Sequence, residues 1–298
     1  METIKNKNQI KPNEFSPWLG FLIILLAFVC WMNFGPMLSF AIYSIPAMQS
    51  GPWSGLGDYL IVHAPYILLF LALFLGSNFV LKTKLRVLIC GTGHKYRYKY
   101  SFLIAIVYIL FLIVVSLFEM ATIDINHAPP IEKLKLLIPI LILTPMQALS
   151  EELFFRALPA RMIYKNNLPK SWKDSIAIVL ISGFLFLVPH MGNPEFSANA
   201  IFSGIYYFLW GAMAMALAIY TDGFEAPVAM HIANNLYIAL GVNYANSSMP
   251  TQAIFINNGE TSSIFSVIEV IVVFTIIFAL SYYLKKEKKE VITEKENG

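Results

Sequence analysis

Three short runs of residues carry groups able to do chemistry in a chain that is otherwise apolar. The first is Ser150-Glu151-Glu152-Leu153-Phe154-Phe155-Arg156, with two adjacent carboxylates inside a long hydrophobic stretch. The second is Phe186-Leu187-Val188-Pro189-His190, and the third is His231-Ile232-Ala233-Asn234-Asn235. Ionisable groups inside a membrane span are costly and face protein or water, so each is a functional candidate. Four residues apart on a helix, Glu152 and Arg156 share a face and pair, which leaves Glu151 about 100° round on another face. On that division Glu152 is the structural partner and Glu151 the reactive group. Phe186 and His190 also share a face, with Pro189 bending the helix just before the histidine. His231 and Asn235 are matched in the same way.

Each run has a plainer reading. The glutamates fit the cytoplasmic end of a helix that begins a basic loop. A lone histidine fits an interfacial residue bonded to a carbonyl, and a histidine with an asparagine fits interhelical bonding worth roughly 1 kcal/mol in a membrane. Glu151, His190 and His231 also make a candidate zinc set with an open position for water. Against a metal stand the lack of an HExxH motif and the asparagine, whose amide is a poor zinc ligand and a good oxyanion donor. No cofactor is expected, with zinc as the alternative.

The elements that position these groups follow from composition. Of 298 residues, 57% are hydrophobic and 13% charged, against roughly a quarter charged in a soluble domain. The apolar residues form blocks long enough to cross a hydrocarbon core of about 30 Å, and the blocks are apolar nearly all round. Spans are expected near Trp18 to Ile45, Tyr59 to Leu81, Phe102 to Phe118, Leu136 to Tyr164, Ser175 to His190, Ala200 to Tyr220, Ala226 to Val242 and Ile264 to Leu284. The Gly35-Pro36 pair marks a kink or an early end in the first. The fold class is thus all-α, a polytopic membrane protein of about eight transmembrane helices forming one membrane domain over 1–298. With a cytoplasmic N-terminus, every lysine and arginine except Lys133 and Lys135 falls on the inner side. Both termini are therefore expected in the cytoplasm. The first block reads as a retained anchor and not a cleaved signal. Cys30 and Cys90 suggest no disulfide, residues 285–298 read as a solvated, disordered charged tail, and Asn33, His63, Glu119 and Asp222 read as ordinary interfacial polar residues. The charge of +3 arises from the basic loops, which are topology anchors beside anionic lipid, and gives no reason to expect nucleic acid as a partner.

In combination the three runs match the order EExxxR, FxxxH, HxxxN, and on them the chain resembles the CAAX-protease and bacteriocin-processing family of intramembrane endopeptidases. The resemblance covers Leu136 to Val242, the catalytic-motif core (136–242), with Ala157 standing where the family commonly has glycine. It implies Glu151 as general base, His190 holding or polarising the water, and His231 and Asn235 as oxyanion donors, supported by Glu152 and Arg156. It also implies a multi-pass protein of the cell membrane acting on a prenylated or amphipathic peptide or protein. The compact length suits the bacterial members, associated with peptide processing or with self-protection from bacteriocins. The rival readings are a catalytically silent scaffold or regulator of a signalling partner, and a proton-relaying transporter. The latter should show matched broken repeats, and the sequence shows none. Glu269 in the last span would matter to a transporter, whereas a protease has no assigned use for it.

Overall fold

The structure, a computed structural model, describes residues 16–91, 94–165, 167–259 and 263–297, those from 287 onward by backbone alone. Lys5, Lys7 and Lys11, counted above for orientation, lie outside the described residues. The chain opens with α1 (Pro17–Val29), capped by the Ser16 hydroxyl, which accepts from the Leu19 amide. A π-helical turn (Cys30–Phe34) carries it into α2 (Gly35–Tyr43), so the glycine–proline pair ends neither helix nor span. Gly35 is needed there because a Cβ would stand 2.7 Å from the Pro65 ring. Next come α3 (Pro46–Gln49), α4 (Ser54–Leu75) with a π turn (Gly76–Val80), α5 (Leu85–Cys90) and α6 (Tyr98–Phe118). A single-turn 3₁₀ segment (Met120–Thr122) leads to β1 (Ile123–Ile125).

The motif-bearing half begins with α7 (Pro130–Glu152), a π turn (Leu153–Ala157) and α8 (Leu158–Ile163). It continues through α9 (Trp172–His190), α10 (Pro194–Ala198), α11 (Ala200–Thr221) and α12 (Glu225–Leu240). It closes with β2 (Val242–Tyr244), β3 (Phe255–Asn257) and α13 (Ile264–Asn297). Side-chain caps mark two starts: Ser171 accepts from the Asp174 amide and Asn199 from Phe202. The three strands form a small sheet in the order β1-β3-β2, with β1 antiparallel and β2 parallel to β3, an addition to the all-α expectation. Glu119 at the end of α6 joins it by accepting from Asn257 Nδ2 at 2.7 Å.

Among the described residues, seven helical stretches are long and apolar enough to cross a membrane, and large apolar side chains such as Phe21, Leu25 and Phe102 stand exposed along them. Lipid is the medium that accepts such surfaces. The protein is a multi-pass integral membrane protein. The seventh expected span in chain order, α12, differs in kind. It has 16 residues, includes Glu225, His231, Asn234 and Asn235, and packs against α6, α7 and α11. Surrounded by protein, it can carry polar groups that a lipid-facing helix could not. The last helix runs through the lysine- and glutamate-rich stretch expected to be disordered; both residue types are good helix formers, and the backbone stays helical to Asn297.

Candidate active site

The three runs converge on one cavity of about 430 Å³ between α4, α7, α9, α11 and α12, and Glu151, His190, His231 and Asn235 all line it. The local geometry begins with Arg156, whose side chain is wholly buried. It pairs with Glu152 four residues earlier, as the helical spacing predicts. Its Nε and Nη2 find no hydrogen-bond partner among the described residues. Instead the guanidinium lies 4.2 Å over the Phe186 ring and 5.5 Å from that of Trp210. A buried cation over an aromatic face gains about 2 kcal/mol. The phenylalanine of the second run is therefore the platform for the arginine of the first.

Glu152 has a second task that sequence spacing did not reveal. Its Oε1 also receives His231 Nδ1 at 2.8 Å, so the carboxylate bridges α7 and α12. With Nδ1 committed, Nε2 of His231 points into the cavity, 3.6 Å from Glu151 Oε2. Glu151, about 100° round the helix from Glu152, accepts from Gln147 Nε2 at 3.1 Å. His190 donates Nδ1–H to the Phe186 carbonyl at 2.6 Å, which leaves Nε2 as an acceptor for the cavity. Its ring stacks on Tyr207, centroids 4.3 Å apart. Asn235 accepts from Asn234 Nδ2 at 3.1 Å, and that amide is itself held by the Tyr108 hydroxyl at 3.2 Å. With its oxygen taken, Asn235 presents its Nδ2 donors.

The close approach of α9 to α11 sets the height of His190. A Cβ on Gly211 would stand 2.7 Å from Phe186 Cβ and 2.8 Å from the Ser182 carbonyl oxygen, and Ser182 Oγ bonds the Gly211 carbonyl at 3.1 Å. Tyr66, Gln147, Tyr207, Trp210 and Glu195, none of them singled out by the sequence, complete the walls together with Glu269 of the last span. Glu195 accepts from the Tyr207 hydroxyl at 3.0 Å. Gln147 carried a findable signal, since it lies one helical turn before Glu151. His63 is a correction: it is fully buried and not interfacial, with Nδ1 on the Tyr59 carbonyl at 2.8 Å and its ring stacked on that of Tyr59. Asp222 terminates α11 in a left-handed conformation, φ 55°, and Asn33 is exposed.

As a zinc set, Glu151, His190 and His231 fit poorly. Among the described residues no three histidine, cysteine, aspartate or glutamate side chains converge as metal ligands.

A Bacillus subtilis (strain 168) protein described as uncharacterized protein YyaK is 28% identical over 279 residues, covering 91% of this chain and 89% of that one. No solved structure matches the chain. The family model described as type II CAAX prenyl endopeptidase Rce1-like matches residues 133–237, nearly the interval 136–242 that bears the three runs. That segment, which supplies Glu151 and both cavity histidines, is what makes the chain similar to the Rce1-like CAAX endopeptidases.

Proposed function

We propose that this protein is an intramembrane endopeptidase that hydrolyses a peptide bond of a membrane-associated peptide or protein with a water activated by Glu151 and His190, and without a metal. The observation that carries the reading is the opposition of Glu151 and His231 across 3.6 Å on the wall of a cavity, with His231 oriented from behind by a buried carboxylate.

In this reading the water sits between Glu151 and His190 Nε2. Glu151 takes one of its protons as the oxygen adds to the substrate carbonyl carbon, a general-base contribution of typically 10²- to 10⁴-fold. The carbonyl oxygen becomes an oxyanion, which accepts hydrogen bonds from Asn235 Nδ2–H and from His231 Nε2–H when that nitrogen carries a proton. Each well-placed donor of this kind is worth roughly 10²- to 10³-fold. The C–N bond then breaks as Glu151 passes its proton to the leaving nitrogen. Glu152 and Arg156 touch no reacting atom; they hold His231 and the helix that bears Glu151. An active site between helices suits a prenylated or amphipathic substrate.

The test is cleavage of a panel of prenylated and amphipathic peptides by purified protein in detergent, wild type against Glu151→Ala, with and without chelator. Cleavage that is lost in Glu151→Ala and retained with chelator supports the reading. Loss with chelator would return the metal. A wild type that cleaves nothing, together with a cellular phenotype unchanged by Glu151→Ala, would favour the silent regulator.

A further inference from the structure

The two membrane faces of the protein differ in charge, and the cavity belongs to one of them. Arg97, before α6, binds Glu225 at the start of α12 at 2.6 Å and the Thr221 carbonyl at the end of α11 at 2.8 Å. Arg161, at the end of α8, donates to the Leu88 and Ile89 carbonyls of α5 at 3.1 and 3.3 Å. Lys285 in α13 reaches the Tyr220 carbonyl. These contacts tie five basic or loop segments into one face, which also holds Lys165 and Lys170 between α8 and α9 and Lys173 at the start of α9. The opposite face carries the starts of α4, α7, α11 and α13 and the ends of α9 and α12. Its basic residues are Lys133 and Lys135, and Lys135 donates to the Pro52 carbonyl just before α4.

The upper wall of the cavity is built from that second face. His190 is the last residue of α9, Glu195 belongs to α10, Ser203 lies at the start of α11, Ser248 follows α12, and Ser266 lies at the start of α13. No lining residue comes from the 164–171 loop or from the turn between α11 and α12. Glu151 lies about 18 Å along its helix from Ile163 on the basic face, at 1.5 Å per residue. Ser248, by contrast, is both lining and exposed. The cavity is a well that descends from the face poor in lysine and arginine.

Short loops rich in lysine and arginine stay in the cytoplasm. We infer that the cavity opens to the extracytoplasmic side, so that its substrate is a peptide segment presented at the outer face of the membrane and not a lipidated tail of a cytoplasmic protein. The side of the opening stands on topology alone; the peptide cargo rests on the endopeptidase reading above.

The test uses the full chain with Cys30→Ser and Cys90→Ser, carrying either Ser248→Cys on the rim or Lys170→Cys on the basic face, and a membrane-impermeant maleimide added to spheroplasts. Ser248→Cys is expected to react on intact spheroplasts and Lys170→Cys only after permeabilisation. The reverse pattern, or equal reaction of both sites on intact spheroplasts, overturns the inference. A second arm adds an amphipathic reporter peptide outside right-side-out or inverted vesicles of the wild type, and cleavage is expected with the former. Cleavage confined to inverted vesicles overturns the assignment of the substrate's side. Expected labelling with no cleavage in either vesicle upholds the outward opening and counts against the endopeptidase reading instead.

Discussion

Replacing Glu152 by leucine should do more damage than replacing Glu152 and Arg156 together. Both side chains of the pair are wholly buried, and Glu152 is the arginine's carboxylate partner. Removing one partner of such a pair leaves an uncompensated charge in a low-dielectric interior and costs ~3–5 kcal/mol. At the size of this chain that is a fall of roughly 5–15 °C in Tm. Glu152→Leu with Arg156→Met removes both charges and keeps an unbranched side chain against the Phe186 ring. Replacing a buried pair by apolar groups of similar volume is often neutral or better, so the double variant should recover most of the lost stability. It should not recover cleavage, because His231 Nδ1 has lost its acceptor in both variants. Thermal unfolding in one detergent, alongside peptide cleavage, reads both quantities. A double variant as unstable as Glu152→Leu would refute the coupling, and a double variant with wild-type turnover would refute the role given to Glu152 in holding His231.

Two further outcomes follow from neighbouring contacts. Gln147→Leu removes the amide that donates to Glu151; hydrogen bonds to charged groups are worth about 1.5–3 kcal/mol, so kcat should fall roughly 10- to 100-fold with KM little changed, measured by steady-state cleavage. Gly211→Ala drives a methyl into Phe186 and the Ser182 carbonyl; overpacking of this kind costs about 1–3 kcal/mol, so Tm should fall by several degrees and cleavage should weaken as His190 shifts, whereas Gly192→Ala, where no atom lies within 4 Å of the added Cβ, should change neither.

Much of this arrangement was legible in the sequence because its signals are local. Apolar block length gave the spans, and the four-residue spacing gave the Glu152–Arg156 pair and the separate facing of Glu151. What sequence spacing could not show is contact between helices. That His231 leans on Glu152, or that Phe186 lies under Arg156, depends on how α9 and α12 dock against α7, and no periodicity within one helix records that. The same limit misplaced His63, whose position near a span end suggested an interface until packing against Tyr59 enclosed it. α12 read as an ordinary span because its apolar content is that of one, although its surroundings are protein. The strands were missed because three-residue segments in polar connections carry too short a pattern to register.

The central claim is that Glu151 activates water and does not itself attack the substrate. It is tested most directly by a single turnover in ¹⁸O-enriched water, with enzyme in excess and both the product and the peptide bearing Glu151 weighed by mass spectrometry. The account predicts one heavy oxygen in the new carboxyl terminus of the product and none in Glu151. Heavy oxygen in the Glu151 carboxylate with an unlabelled product would mean that the carboxylate forms a covalent acyl intermediate, and would contradict it.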